Sequence, residues 1–292
     1  MRLDQLYRAT TPAVSIELFP PKTPEGVEGL FKTVEQLQRL APAFFSMTYG
    51  AAGSTQDKTL VLCDRLKNLA KVETMCHLTV VGQSREQVQE NLRQLKALGI
   101  YNVLALRGDP PADDPNFRPH PGGFQSSVEL IREARRDPWF SIAASGFPEV
   151  HQDAADRASD IAYLKHKVEA GACVIITQLF FDNAYFFEFI EHVRRAGITV
   201  PVVPGILPIL SVAQIRRFTA LCKATIPSSV AGELAKYEQD DDGAARYGIE
   251  LATRQCEGLL KADVPGLHLY ALNRTRSVEA ILRNVGLAPG SA

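Results

Sequence analysis

VEAGACVIITQL, Val168–Leu179, changes its period at one residue: the helical spacing of the segment before it stops at Gly171, and an apolar, β-branched run follows. A glycine there suits the left-handed conformation that closes a helix, and the run after it reads as a buried strand. The same passage occurs in LKALGIYNVLAL, Leu95–Leu106, through Gly99, and in RRAGITVPVVPG, Arg194–Gly205, through Gly197. It is a weak internal repeat of one unit, helix then strand. Working outward from these three, strands are expected over Ala13–Phe19, Phe44–Tyr49, Glu73–Val80, Tyr101–Arg107, Ser141–Phe147, Cys173–Leu179, Pro201–Leu207 and Leu267–Leu272. Helices start between them where Thr23 precedes Pro24 and Glu25, where Ser84 and Gln87 form a capping box, and where Ser211 opens an amphipathic run. Eight strands alternating with helices over about 250 residues predict an α/β fold, a (β/α)8 TIM barrel, because an open doubly wound sheet carries about five or six parallel strands. An extra helical segment, about Ser228–Lys261, lengthens the connection before the last strand. The whole chain, 1–292, reads as a single domain.

The composition, 46% hydrophobic and 22% charged, supplies a large core. Lys and Arg number 32 against 33 Asp and Glu, a net charge of −1 without any basic run, so no nucleic-acid partner is expected. The opening MRLDQLYRAT carries charges where a signal peptide needs an apolar run, and the longest apolar stretch, near Val200–Leu210, is broken by prolines. No membrane segment is expected, and a cytoplasmic location is. Cys63, Cys76, Cys173, Cys222 and Cys256 are scattered, without a C-x-x-C pair, which suits reduced thiols and shows no metal site.

In such a barrel the site lies at the C-terminal ends of the strands, and alternate residues face inward. On the first strand Val14, Ile16 and Leu18 would face the helices, leaving Ser15, Glu17 and Phe19 inside. The same parity sends Thr48, His77 with Thr79, Arg107 with Asp109, and Gln178 inward. A buried carboxylate costs several kcal/mol unless it is paired or protonated, so Glu17 points to chemistry. Its rival role is an internal ion pair with Arg107. His77 taken alone reads equally as a satisfied core histidine, and His151, in PEVHQDA, as the opening of a helix. Asp240–Asp242 reads as a turn or helix start, and the RGD of Arg107–Asp109 as a chance match to an adhesion tripeptide. The long loop Pro110–Gly123 is either functional or disordered. G-x-G-x-x-G, G-x-x-x-x-G-K-[ST], H-E-x-x-H and G-x-S-x-G are all missing. What remains is a barrel enzyme with an acid and a polar pocket.

VSIELFPPK (Val14–Lys22), SMTYGAAGSTQDKT (Ser46–Thr59), CHLTVVG (Cys76–Gly82), LALRGDPP (Leu104–Pro111), FPEVHQDA (Phe147–Ala154), LKHKVEAGACVIITQLFFD (Leu164–Asp182), PGILPI (Pro204–Ile209) and ALNR (Ala271–Arg274) occur in this order. Together they resemble the methylenetetrahydrofolate reductase family over almost the whole chain, and the combination is specific where each piece alone is weak. The resemblance implies a flavin-dependent barrel that passes a hydride from NADH or NADPH to FAD and then to 5,10-methylenetetrahydrofolate, giving 5-methyltetrahydrofolate for methionine synthesis.

It also assigns roles. Glu17 would be the general acid that opens the folate ring to an iminium ion, a task suited to the desolvated interior. Asp109 would stabilise that cation and touch both pterin and flavin, while Gln178 and Arg274 would bind the folate. FAD contacts would fall to Thr48, Tyr49, Ala51, His77, Arg107, Gly108, Asp109, Phe147, His151, Ala154, Asp160 and Lys167, with Arg107 and Lys167 suited to the pyrophosphate. Two positions depart from the family pattern: Phe147 stands where bacterial members have a tyrosine, and Val212 where an aromatic packs on nicotinamide. The family's eukaryotic regulatory domain is expected to be absent, and a homo-oligomer is expected. The competing classes are another flavin or pterin-binding barrel, such as a proline dehydrogenase-like oxidoreductase, and a non-catalytic scaffold.

Overall fold

Strand after strand reaches its neighbour through one helix, so the pairing follows chain order. β1 (Ala13–Leu18), β2 (Phe44–Met47), β3 (Thr74–Thr79), β4 (Asn102–Leu106), β5 (Ser141–Gly146), β6 (Val174–Leu179), β7 (Val202–Ile206) and β8 (Gly266–Tyr270) are parallel, and β8 closes on β1. The structure, a computed structural model, describes residues 1–7, 11–49, 56–110, 114 and 116–290. Closure leaves no sheet edge, and each strand carries its outward residues against helices. All eight expected strands are present; most stop one or two residues inside their apolar runs, and β8 starts one residue earlier, at Gly266.

The helices are α1 (Leu3–Leu6), α2 (Pro24–Gln38), α3 (Gln56–Asp64), α4 (Arg85–Ala97), α5 (Ser127–Arg135), α6 (Arg157–Glu169), α7 (Asn183–Arg195), α8 (Val212–Cys222), α9 (Ser228–Leu234), α10 (Asp241–Lys261) and α11 (Thr275–Asn284). Their starts follow the sequence signals. Thr23 and Ser211 accept from the Gly26 and Gln214 amides, and Ser84 and Gln87 form the reciprocal capping box. Gly99, Gly171 and Gly197 all take positive φ, 74°, 126° and 79°, at the ends of α4, α6 and α7. The extra segment before β8 is α9, a single 3₁₀ turn and α10, and Asp240 caps α10 through the Gly243 amide.

The core is layered as the alternation demands. Val14, Ile16 and Leu18 join the large cluster between barrel and helices. Inside the barrel, Ala13, Phe44, Met75, Leu104, Ala143, Val174 and Val203 pack with Leu3 and Tyr7. The inward set of β1 is therefore Ala13, Ser15 and Glu17. On β4 the parity expected at the strand's end does not hold: the strand stops at Leu106, whose side chain lines the cavity with that of Leu104. Arg107 and Asp109 reach the cavity from the loop beyond, where Gly108 takes φ +83° and the Arg107 carbonyl accepts from the Val80 and Val81 amides. The β6–β7 register slips between Ile176 and Leu179, a bulge at Thr177–Gln178.

Candidate active site

The C-terminal ends of the strands open on a cavity of about 730 Å³, a size typical of small-molecule sites. Its floor is acidic and imidazole-rich. Glu17, 5% exposed, sits opposite Ser46 of β2 and Tyr270 of β8 in the barrel register. Its Oε2 is 3.1 Å from His268 Nε2 and 3.5 Å from His77 Nε2. His268 Nδ1 lies 2.7 Å from Ser15 Oγ. Burial lowers the His77 pKa from 6.5 to about 4, the Glu17 carboxylate opposing and His268 adding to the fall, so His77 is neutral at pH 7. The expected rival pair, Glu17 with Arg107, does not form: Arg107 lies 2.8 Å from Asp153 and 4.0 Å from Asp109 at the rim.

One wall is cationic. Lys167, on α6, is buried and donates to the Ser145 carbonyl at 2.9 Å, between the rings of Phe147 and Tyr163 at 5.6 and 5.2 Å. Burial pulls its pKa down from 10.5 to about 8, with Asp160 opposing and Arg107 adding. Asp160 accepts from the His151 amide at 3.2 Å, and burial raises its pKa. His151 therefore does not open a helix; its ring stands edge-on to Phe147 at 4.5 Å. The neighbouring strand adds the β6 bulge, which presents Gln178, its Oε1 accepting from the Leu179 amide at 2.9 Å. Beside it Tyr270 donates to the Thr177 carbonyl at 2.8 Å, and Thr177 Oγ1 accepts from the Gly205 amide.

Of the residues expected from sequence, Glu17, Thr48, Tyr49, His77, Arg107, Gly108, Asp109, Phe147, His151, Ala154, Asp160, Lys167 and Gln178 all line this cavity. Ala51 lies outside the described residues. Arg274 is exposed at the N-cap of α11 and is not among the lining residues. Val212 is buried in the cluster under α8, while Phe218, further along that helix, lines the cavity, so the departure at Val212 does not touch the site. His268, Tyr270, Phe218 and Asp153 were not singled out from sequence. For His268 and Tyr270 the signal was available: the alternation of β8 places both inward. The loop after β4 has a role in shape, since Phe117 and Pro119 border a second hollow of about 570 Å³ that shares Arg107, Asp109 and Asp153 with the first.

The sequence matches the family model described as methylenetetrahydrofolate reductase over residues 2–286. The chain belongs to the methylenetetrahydrofolate reductase family. It is 42% identical over 286 residues to methylenetetrahydrofolate reductase (NADH) 1 of Zea mays, a match covering 94% of this chain and 48% of that protein. The chain thus spans about half the length of the plant relatives it matches. The 5,10-methylenetetrahydrofolate reductase of Pectobacterium carotovorum subsp. carotovorum is 32% identical over 281 residues, 96% of this chain and 92% of that one. A solved protein from Clostridium thermocellum, described as binding two copies of 5-methyl-5,6,7,8-tetrahydrofolic acid, shares the fold with a TM-score of 0.67 over 98% of this chain and 96% of its own, at 15% identity.

For a methylenetetrahydrofolate reductase-family chain the donor set can be tested against FAD. Two cationic side chains, Arg107 and Lys167, flank one wall, as a pyrophosphate needs. His77 lines the cavity, and its buried Nε2 does not reach hydrogen-bond geometry with Glu17. Buried polar atoms left in this state are uncommon in a finished core and suit a polar ligand. The residues present fit the group.

Proposed function

We propose that this chain reduces 5,10-methylenetetrahydrofolate to 5-methyltetrahydrofolate with NADH or NADPH, using bound FAD, in the cytoplasm and in support of methionine synthesis. The observation that carries the proposal is that a family member's barrel gathers a buried acid, Glu17, a cationic wall and the amide of Gln178 in one cavity. Storage of the hydride between its two substrates is the chemistry FAD supplies when bound, and Thr48, Tyr49, His77, Arg107, Gly108, His151, Asp160 and Lys167 would hold it.

The rest falls to the protein's own groups. Glu17 donates its proton to the folate nitrogen as the carbon–nitrogen bond of the five-membered ring breaks, leaving an iminium carbon that accepts hydride. The buried floor excludes water from that cation. Asp109, 78% exposed at the rim, approaches it from the mouth and favours it by charge. Gln178 offers both an acceptor and a donor to the edge of the pterin. Arg274, outside the cavity, would meet the part of the folate that projects from it.

The test is an absorbance spectrum. Protein incubated with FAD should acquire flavin absorbance, bleach anaerobically with NADH or NADPH, and regain colour with methylenetetrahydrofolate. A protein that binds neither FAD nor the folate in calorimetry overturns the proposal.

A further inference from the structure

Two residues other than glycine take left-handed backbone beside the cavity, and one contact between distant segments lies next to both. Val150, in the loop from β5 to α6, has φ +75°, and Lys223, which ends α8, has φ +58°. For a β-branched side chain that conformation is a steric outlier, and such backbone persists only where its surroundings over-determine it. Here they do. The Val150 amide donates to the Phe147 carbonyl at 3.1 Å, and Arg157 Nη1 donates to the Pro148 carbonyl at 2.8 Å. Glu149, inside the same turn, accepts from the Thr225 amide with both carboxylate oxygens, at 2.9 and 3.2 Å, a contact across 76 residues. Burial raises the Glu149 pKa, with Thr225 and Arg157 opposing, so the fold half-buries a charge at a cost that closing a loop does not require.

The two segments joined in this way are lips of one cavity. Phe147, His151 and Ala154 line it from the loop, and Phe218, Leu221 and Cys222 line it from α8. Leu221 is 67% exposed, an apolar side chain left open to water at the mouth. The Cys222 thiol turns back to the Phe218 carbonyl within the helix, and residues 223–227 beyond it form neither helix nor strand. Thr225 is thus the point at which the end of α8 is held to the loop. We propose that Glu149 is a positioning residue: its carboxylate clasps the end of α8 to the β5–α6 loop and so sets where Phe218 and Leu221 stand over the cavity. This rests on the reading above, in which the loop meets FAD and the folate and nicotinamide enter beside it. Glu149 itself does not line the cavity, so it acts through α8 and not on a ligand. What it fixes is the apolar lip, which leaves the cationic wall and the acid at Glu17 as they are.

Amide hydrogen exchange tests the clasp on the unliganded protein, without any turnover. In Glu149→Ala the amides of Thr225, Leu221 and Cys222 should exchange roughly tenfold faster, the effect of losing one hydrogen bond to a charged group. Glu149→Gln keeps a side-chain oxygen that can accept from Thr225, and should restore most of the protection. Kinetics test the consequence. In Glu149→Ala the KM for methylenetetrahydrofolate and for NADH should rise roughly five- to twentyfold, while kcat and the calorimetric affinity for FAD stay within about threefold, the pattern of lost ground-state binding. Unchanged exchange at Thr225 in Glu149→Ala overturns the proposal, and so does faster exchange there with Leu221 and Cys222 unaffected. A Glu149→Gln protein as impaired as Glu149→Ala, unchanged KM values, or a joint loss of kcat and FAD binding overturns it as well. If the unaltered protein never reduces the folate, the functional reading is what fails, and the exchange of the Leu221 and Cys222 amides still decides whether Glu149 holds the end of α8.

Discussion

Glu17 sits between two imidazoles and not against a guanidinium, and this decides what its removal does. Glutamine keeps the shape and strands no guanidinium, because Arg107 pairs with Asp153, and His77 is neutral at pH 7. Glu17→Gln should therefore leave the melting temperature and flavin reduction nearly unchanged, while reoxidation by methylenetetrahydrofolate falls about 10²–10⁴-fold, as rapid-mixing absorbance would show. His77 carries an acid sensitivity of its own. Its pKa falls from 6.5 to about 4 on folding, so between those values the unfolded chain binds a proton that the folded one refuses. Stability rises with pH across that window and is lost as pH drops from 6.5 toward 4, with a full effect on the order of 3 kcal/mol. His77→Gln should lose less stability than the unaltered protein between pH 7 and pH 4.5 in urea unfolding. Lys167 works on the alkaline side. With its pKa near 8 in the folded state, the ammonium that an anionic pyrophosphate needs is present below that pH and lost above it. ADP binding measured by calorimetry should weaken from pH 7 to pH 9, and Lys167→Met should bind weakly at both. Stability of the unliganded chain should rise between pH 8 and 10.5, where only the unfolded lysine keeps its proton.

Among the elements, β6 and β7 show how a strand irregularity makes a binding wall. The bulge turns Gln178 into the cavity, and it survives because Gly205 leaves room for the Thr177 carbonyl and the Tyr270 ring. A Cβ at Gly205 would run into the Thr177 carbonyl and stand 2.8 Å from Tyr270 Cε2. Backbone and a partly buried, hydrogen-bonded tyrosine cannot both give way, so Gly205→Ala should cost about 1–3 kcal/mol. The cost is read by urea unfolding, and folate binding should weaken more than FAD binding because the wall that moves carries Gln178.

The molecule divides its labour between the two ends of the barrel. Chemistry collects at the C-terminal ends of the strands, while α1 closes the other end: Leu3, fully buried among the inward residues, donates its amide to Asn102 Oδ1 at 3.1 Å. Arg2 fastens the same segment to the carbonyls of Pro138, Trp139 and Phe140. Neither Arg2 nor Leu3 lines the cavity, so what this plug contributes is stability. Leu3→Ala should cost about 2–4 kcal/mol through the cavity it leaves, lowering the denaturation midpoint while both half-reactions keep their rates in the folded protein.

Much of this was written locally in the chain. Strand and helix periods are short-range properties, so eight strands, their glycine-closed helices and the inward parity of Ser15 and Glu17 could be read from neighbours two to four residues apart. The thirteen expected residues that line the cavity include several that the family resemblance supplies and no periodicity shows, such as Asp160 and Lys167. The tertiary structure alone decided the partners. Whether Glu17 meets Arg107 or His268 depends on where β8 closes against β1, a pairing across 251 residues that no local pattern encodes. Arg107 was assigned inward by parity, yet the strand ends before it and the loop carries it to Asp153, 46 residues away. A strand's period fixes which way a side chain faces; what it finds there is set by closure of the whole barrel and the paths of the loops, which are satisfied only when every element is packed.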